Sequence, residues 1–309
     1  MANHQSTHLR LIGMAALWGA SWSWGRVVAQ AMPPLAAASV RFLIASLALL
    51  LWLSHSGRLK SIAALDRRQW QGLFWAAAAG VFGYSTFFML SLQLVPAGKG
   101  AVVITLNPAA TLLLAALIFR EQLNGTIILG MLMAAGGALY AISGGAPLQF
   151  LSGQTGVGEL LLMGCVACWV VYTLIGRAVL GGIDALTATT VTAMLGALML
   201  LALSLVVEGA PGWQAMLTAS WQSWACLAVL SVGATAVAYA WFFEGVKTLG
   251  AGAAAGYITL VPVFGILFSS LWLNEALTAS LLIGGGVAIA GMTVMQVGRR
   301  PAAPRAGKA

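Results

Sequence analysis

"ITLNP" runs from Ile104 to Pro108 in the middle of one long apolar stretch, and "ITLVP" runs from Ile258 to Pro262 in the middle of another. The prolines stand 262 − 108 = 154 residues apart, about half of the 309-residue chain. Proline removes a backbone donor and crowds the carbonyl four residues earlier, here that of Ile104 and of Ile258. One helix interruption is therefore expected twice.

The surroundings of these phrases decide the fold class. The chain is 61% hydrophobic and 7% charged, against roughly 25% charged residues in soluble domains. Its apolar residues cluster in runs of about 20, the length that crosses a bilayer core as a helix, without the alternating segments of about 10 that mark a membrane β-barrel. The sequence predicts an all-α integral membrane protein with ten transmembrane helices, at 9–30, 35–53, 70–92, 97–119, 123–143, 157–178, 185–207, 220–244, 251–273 and 277–297. "AQA" at Ala29 to Ala31 resembles a signal-peptidase site, but Arg26 intervenes and the repeat requires the first span, so that span is read as retained.

The repeat extends well beyond the proline phrase. At the offset of 154, Ala97, Gly98, Ala101 and Thr105 meet Ala251, Gly252, Ala255 and Thr259. Further on, Leu113, Glu121, Gly130 and Gly137 meet Leu267, Glu275, Gly284 and Gly291. "LIGMAALWGASWSWGR", ending at Arg26, aligns with "LMGCVACWVVYTLIGR", ending at Arg177, at an offset of 177 − 26 = 151. Five spans per copy is an odd number, so the second copy enters the membrane from the opposite side. Such inverted repeats underlie many secondary transporters, because exchanging the two halves interconverts inward-open and outward-open forms. The division expected is residues 1–145 for the first repeat, 146–298 for the second and 299–309 for a basic tail.

The tryptophan–glycine opening "LWGASWSWGR", the segment "PPLAAASVRFLIA", the mid-span prolines of "TLNP" and "TLVP", and the "REQL" and "NEAL" segments at Glu121 and Glu275 together resemble the EamA family of the drug/metabolite transporter superfamily. The resemblance covers nearly the whole chain. It implies ten helices in two repeats and export of small metabolites, often amino acids, with aromatic amino acid exporters among similar members. The fold itself does not dictate the cargo.

Several residues are candidates for lining a pathway. Pro108 and Pro262 fall near mid-span, and backbone groups freed there must be satisfied by protein or by water in a cavity; Thr105 and Thr259 are placed to help. Asn107, whose counterpart is Val261, either bonds across helices or faces substrate. Trp18, Ser21, Trp22 and Gly25 share one helical face, and Trp169, Tyr172, Thr173 and Gly176 are their counterparts. Aromatic rings with hydroxyls suit an apolar or aromatic amino acid, although the same face also suits an aromatic packing seam. Tyr84, Phe88, Tyr239, Trp241 and Tyr257 are further candidates. Trp70, Trp213 and Trp221 fit an interfacial belt. Gly130, Gly137, Gly284 and Gly291 are expected to pack helices closely.

Charge placement sets orientation and limits the chemistry. With the N-terminus in the cytoplasm, Arg10, Arg58, Lys60, Arg67, Arg68, Arg120, Arg177, Lys247, Arg299, Arg300, Arg305 and Lys308 all lie on the cytoplasmic side, with only Arg26 and Lys99 outside. The positive-inside rule then puts both termini in the cytoplasm, in a bacterial inner membrane. The net charge of +8 is explained by this flanking, so nucleic acid is not an expected partner. The partners expected are a small-molecule substrate and the lipid bilayer, with the oligomeric state unread. No Walker motif, no H-E-x-x-H and no mid-membrane acid pair is present, so neither an enzyme nor a cofactor or metal is expected. Cys165-x-x-Cys168 reads as apolar packing. Glu244 and Lys247 are spaced to pair on span 8. Arg41 could meet a substrate carboxylate; snorkelling toward the interface is the preferred reading. The alternatives to an amino acid exporter are a drug, amphipathic-cation or nucleotide-sugar carrier, and a structural membrane protein without a pathway.

Overall fold

The computed structural model describes residues 2–120, 123–148, 156–179 and 182–299. Glu121 of the "REQL" segment and the tail beyond Arg299 lie outside the described residues. Among the described residues ten long helices succeed one another: α1 (Ala2–Ala31), α2 (Pro34–His55), α3 (Arg67–Leu94), α4 (Ala97–Phe119), α5 (Gly125–Ile142), α6 (Val157–Val179), α7 (Ala185–Val207), α8 (Trp221–Leu249), α9 (Ala253–Leu273) and α10 (Ala279–Gly298). Among the described residues, nine of these (α2 to α10) are long and apolar enough to cross a membrane by length and composition alone. The remaining one, α1, has the length, but three tryptophans, Ser21, Ser23 and Arg26 make it more polar. It starts earlier than the sequence suggests because its first turns are tied to the rest of the protein by Arg10 and His8. Leu43, Leu47 and Leu51 on α2, Leu113 and Leu117 on α4, and Leu267 and Leu271 on α9 are exposed. Such apolar stripes suit lipid rather than water.

The helix termini are set by local chemistry. Asp66, Asn124, Asp184, Ser220 and Thr278 cap the N-termini of α3, α5, α7, α8 and α10 through their side chains, the usual work of short polar residues there. α4 and α9 both end on a left-handed residue, Arg120 (φ 55°) and Asn274 (φ 51°), which are 274 − 120 = 154 residues apart.

Packing shows the inverted symmetry directly. Gly130 on α5 meets Gly291 on α10, and Gly137 meets Gly284; a Cβ on any of the four would stand 2.4–2.6 Å from backbone of the other helix. The sums 130 + 291 and 137 + 284 are both 421, so the two helices are antiparallel. The offset of 154 carries Gly130 to Gly284 and Gly137 to Gly291, so each contact maps onto the other, as a two-fold axis between the helices requires. α2 and α7 form a second antiparallel pair, with Ser39 donating to Ser204 near one end and Arg58 meeting Asp184 at 3.2 Å at the other. Between these pairs α1 packs on α8 and α9, and its counterpart α6 packs on α3 and α4. The protein is an all-α, multi-pass membrane protein built this way.

Two faces are closed by polar contacts. At the near face, where α1 begins, Arg10 pairs with Glu244 of α8, and His8 hydrogen-bonds to Tyr257 of α9. Glu244 thus pairs across helices; among the described residues it makes no ion pair with Lys247, the partner expected from spacing. At the far face Glu275 accepts from the Ala97 and Gly98 amides at the start of α4 (2.8 and 3.0 Å) and pairs with Arg26 at 3.1 Å. Glu208 likewise accepts from the Leu35 and Ala36 amides that begin α2 (2.8 and 2.7 Å), and Lys99 meets Glu159 at 3.8 Å. Carboxylates at helix N-termini satisfy amides with no helical partner and complement the helix dipole.

Candidate functional site

The central helices are irregular at matched places. In α3, residues Ala78–Gly83 are π-helical, and the Tyr84 amide donates back five residues to Ala79. In α8, Val232–Val237 are π-helical, and the Ala238 amide donates to Gly233. The two segments are related by 232 − 78 = 154 residues. Sequence reasoning expects regular helices here; the available signal is the small-residue runs "AAGVFG" and "VGATAV" at the repeat offset. A π turn is wider than an α turn and recurs at functional sites. Tyr84 and Tyr239 emerge immediately after these two turns.

The proline breaks are matched too. In α4 the Ile104 carbonyl, which Pro108 leaves unpaired, accepts from the Asn107 amide at 3.0 Å, and the Thr105 amide donates to Val102 at 3.0 Å. In α9, Tyr257–Leu260 are a 3-10 turn. The hydroxyls of Thr105 and Thr259 donate to Val102 and Gly256, each at 2.7 Å. Both hydroxyls thus bond three residues back within their own turns, and the freed Ile104 and Ile258 carbonyls accept instead from the Asn107 and Val261 amides. The α9 break sits against Gly19 of α1, where a Cβ would come within 2.7 Å of the Val261 carbonyl. Asn107 is 5% exposed and its Oδ1 has no hydrogen-bond partner among the described residues. Pro262 is buried, whereas Pro108 lines a small crevice with Leu112, Met292 and Met295. It thus faces the α4–α10 side and not the aromatic centre.

Aromatic rings from both repeats meet between these irregular segments. Trp22 of α1 packs edge-on to Phe88 of α3 (centroids 4.9 Å apart), Phe88 stacks on Tyr84 (6.0 Å), Tyr84 meets Trp169 of α6 (5.8 Å), and Trp169 meets Tyr172 (5.7 Å). Tyr172 presses on Gly80 in the first π segment, where a Cβ would lie 2.3 Å from the ring. On the other side Trp18 packs edge-on to Tyr239 of α8 (5.3 Å), and its indole N–H donates to the Ala234 carbonyl in the second π segment at 2.9 Å. Tyr84 and Tyr239 lie within electrostatic reach of each other and of Arg41. Ser21 and Thr173 donate to the carbonyls of Trp18 and Trp169 at 2.6 and 2.8 Å, within their own helices.

Arg41 departs from its sequence reading. Its Nε and Nη1 are buried and make no hydrogen bond to a helix end or to any other described residue. The guanidinium carbon lies 5.0 Å from the Phe42 ring centroid and 5.4 Å from that of Phe88, so the cation is held against aromatic faces.

Some candidates lie elsewhere. Trp241 packs over Gly13 of α1 in an apolar cluster with Leu11 and Met14, and Tyr257 belongs to the near-face contact with His8. Trp213 is on the short helix Gly209–Leu217 between α7 and α8, and its buried Nε1 has no hydrogen-bond partner among the described residues. Cys165 and Cys168 pack against α3, at the Tyr84 carbonyl (3.8 Å) and beside Gly83.

Comparison with known proteins places this architecture. The EamA-like transporter family matches residues 5–143 and 156–296. The chain is 24% identical to the uncharacterized transporter YyaM of Bacillus subtilis (strain 168), over 86% of each chain. It is 27% identical to the uncharacterized inner membrane transporter YhbE of Escherichia coli (strain K12), over 93% of this chain and 89% of that one. One crystal structure of a protein with 21% identity superposes with a TM-score of 0.63, covering 96% of this chain and 99% of the other, and so shares the fold. The first match spans α1 to α5 and the second α6 to α10. The chain belongs to the EamA-like transporter family.

Proposed function

We propose that this transporter exports small metabolites by alternating access, with aromatic or apolar amino acids as its favoured cargo. The observation that carries this reading is the aromatic wall of Trp18, Trp22, Tyr84, Phe88, Trp169, Tyr172 and Tyr239. It is contributed by α1, α3, α6 and α8, from both repeats, beside helices whose backbone is locally irregular. Broken helices at a repeat interface commonly frame substrate in transporters, and flat rings with hydroxyl edges suit an aromatic side chain. Residues 1–145 and 146–298 act as the two moving halves, with 299–309 as a basic tail.

The near face is read as cytoplasmic, in a bacterial inner membrane. Arg10, Arg58, Arg120 and Arg299 lie there, and the excess of cations at this face carries the reading, since Arg10 and Arg58 are paired with carboxylates just as the far-face cations Arg26 and Lys99 are. Reconstitution into liposomes with labelled amino acids tests the cargo. Flux of phenylalanine, tryptophan or leucine is expected; flux of amphipathic cations or nucleotide sugars alone would overturn the choice, and no flux of any solute would favour a structural role.

A further inference from the structure

We propose that Arg41 is the anchor for a carboxylate group on the cargo, making the carrier selective for carboxylate-bearing solutes against cations. The proposal rests on the reading of the aromatic wall as the substrate site and names the chemistry that the site selects.

A guanidinium inside a membrane protein normally has a counter-ion, because an uncompensated buried charge is strongly unfavourable. Arg41 has none among the described residues. It makes no ion pair, and the groups that act on it electrostatically are Tyr84 and Tyr239, both neutral phenols at pH 7. The described acids stand near helix ends with other duties. At the start of α2 the acid is Glu208, from the end of α7, and both of its oxygens are taken by the Leu35 and Ala36 amides. Arg41 is the eighth residue of α2, about 10 Å into the helix at 1.5 Å per residue. The faces of Phe42 and Phe88 give it partial compensation only.

A positive charge held this way, with Nε and Nη1 making no hydrogen bond to any described residue, offers the donors that a planar anion requires. A guanidinium offers parallel N–H groups that a carboxylate accepts in pairs. The same cation repels amphipathic amines. The neighbouring rings would receive the apolar part of the solute, and the ammonium of an amino acid would find their π faces.

Three indole probes separate charge from shape: tryptophan (zwitterion), indole-3-propionate (anion) and tryptamine (cation). The full chain is reconstituted for flux and kept in detergent for thermal denaturation. Tryptophan and indole-3-propionate are expected to be carried and to raise Tm, and tryptamine to do neither. Arg41→Gln is expected to lower flux of both carboxylates at least 100-fold and to abolish their Tm shift, while the substrate-free Tm is unchanged or higher. Arg41→Lys, which keeps charge but loses the paired geometry, should retain a fraction of the flux.

Equal transport of tryptamine, or carboxylate flux and Tm shift preserved in Arg41→Gln, overturns the proposal. So does a substrate-free Arg41→Gln protein that fails to fold, since that would make the guanidinium structural. Leucine and 4-methylpentanoate separate the two readings. If they are carried in an Arg41-dependent way and indoles are not, the aromatic cargo falls and the carboxylate anchor stands. If indoles move regardless of residue 41, the anchor falls and the aromatic wall stands.

Discussion

The indole N–H of Trp18 donates to the carbonyl of Ala234, which lies inside the π-helical turn of α8. A π turn displaces carbonyls from their usual acceptor positions, and α1 supplies a donor for one of them. This bond joins the first helix of one repeat to the irregular segment of the other. Trp18→Phe keeps the ring packing on Tyr239 but removes the donor. A loss of roughly 1–2 kcal/mol in thermal stability is expected, the range for a missing hydrogen bond with a stranded carbonyl, along with a several-fold fall in flux. Unchanged stability and flux would show that the bond is incidental.

The twin π turns can be removed without disturbing the flanking helix register, because such a turn is an α-helix carrying one extra residue. Deleting Ala79 from α3 or Ala236 from α8 is therefore expected to leave Tm within a few degrees while lowering flux about tenfold or more. Deleting Leu90, in the regular part of α3, rotates the remainder of that helix by about 100° and displaces the Leu92 and Val95 carbonyls that Arg26 binds. That protein is expected to lose stability. Wild-type flux in the first two deletions would remove the π turns from the mechanism.

The α5–α10 contact makes a sharper stability prediction. A Cβ at Gly137 would stand 2.5 Å from the Ala288 amide nitrogen and the Gly284 carbonyl oxygen, whereas one at the adjacent Gly136 meets none of the described residues within 4 Å. Gly137→Val is expected to destabilise the protein by about 1–3 kcal/mol or more, as overpacking does, and Gly136→Val to be near neutral. Thermal denaturation in detergent compares them; equal effects would mean that the helices are not pressed together there.

Much of this architecture was legible from the sequence, for a physical reason. Spans are long apolar runs because lipid leaves a helix no other way to satisfy its backbone. The repeat is visible because glycines that touch a neighbouring backbone, and prolines that open a helix, tolerate few replacements. Gly130, Gly137, Gly284 and Gly291 pack as expected, and both proline phrases interrupt their helices. Trp18, Trp22, Tyr84, Phe88, Trp169, Tyr172 and Tyr239 come together as a group. Arg41, Trp241 and Tyr257 sit in surroundings that their sequence does not announce, because spacing along one helix says nothing about what the opposite helix presents. The π turns are hidden for another reason: they change backbone pairing without any residue that demands it. The Arg10–Glu244 and Arg26–Glu275 pairs join distant segments, and no local pattern marks them.

The near face is held by Arg10 with Glu244 and by His8 with Tyr257, between α1, α8 and α9. The far face is held by Arg26 with Glu275 and by Glu275 on the start of α4. If solute passes alternately to the two faces, each set must release in turn. The near-face side chains are the more exposed: 45% and 40% for Arg10 and Glu244, against 19% and 12% for Arg26 and Glu275. Exposed pairs are weak and screened by salt, so the near face is expected to open more readily. Charge reversal at one partner, Arg10→Glu or Glu244→Arg, should alter flux a few-fold in a salt-dependent way, and the double reversal should restore it, as coupled neighbours do. Cysteines at both positions, oxidised to a disulfide, should stop flux until a reductant is added. Full flux through the oxidised protein would mean that this face never needs to part, and alternating access between these helices would be wrong.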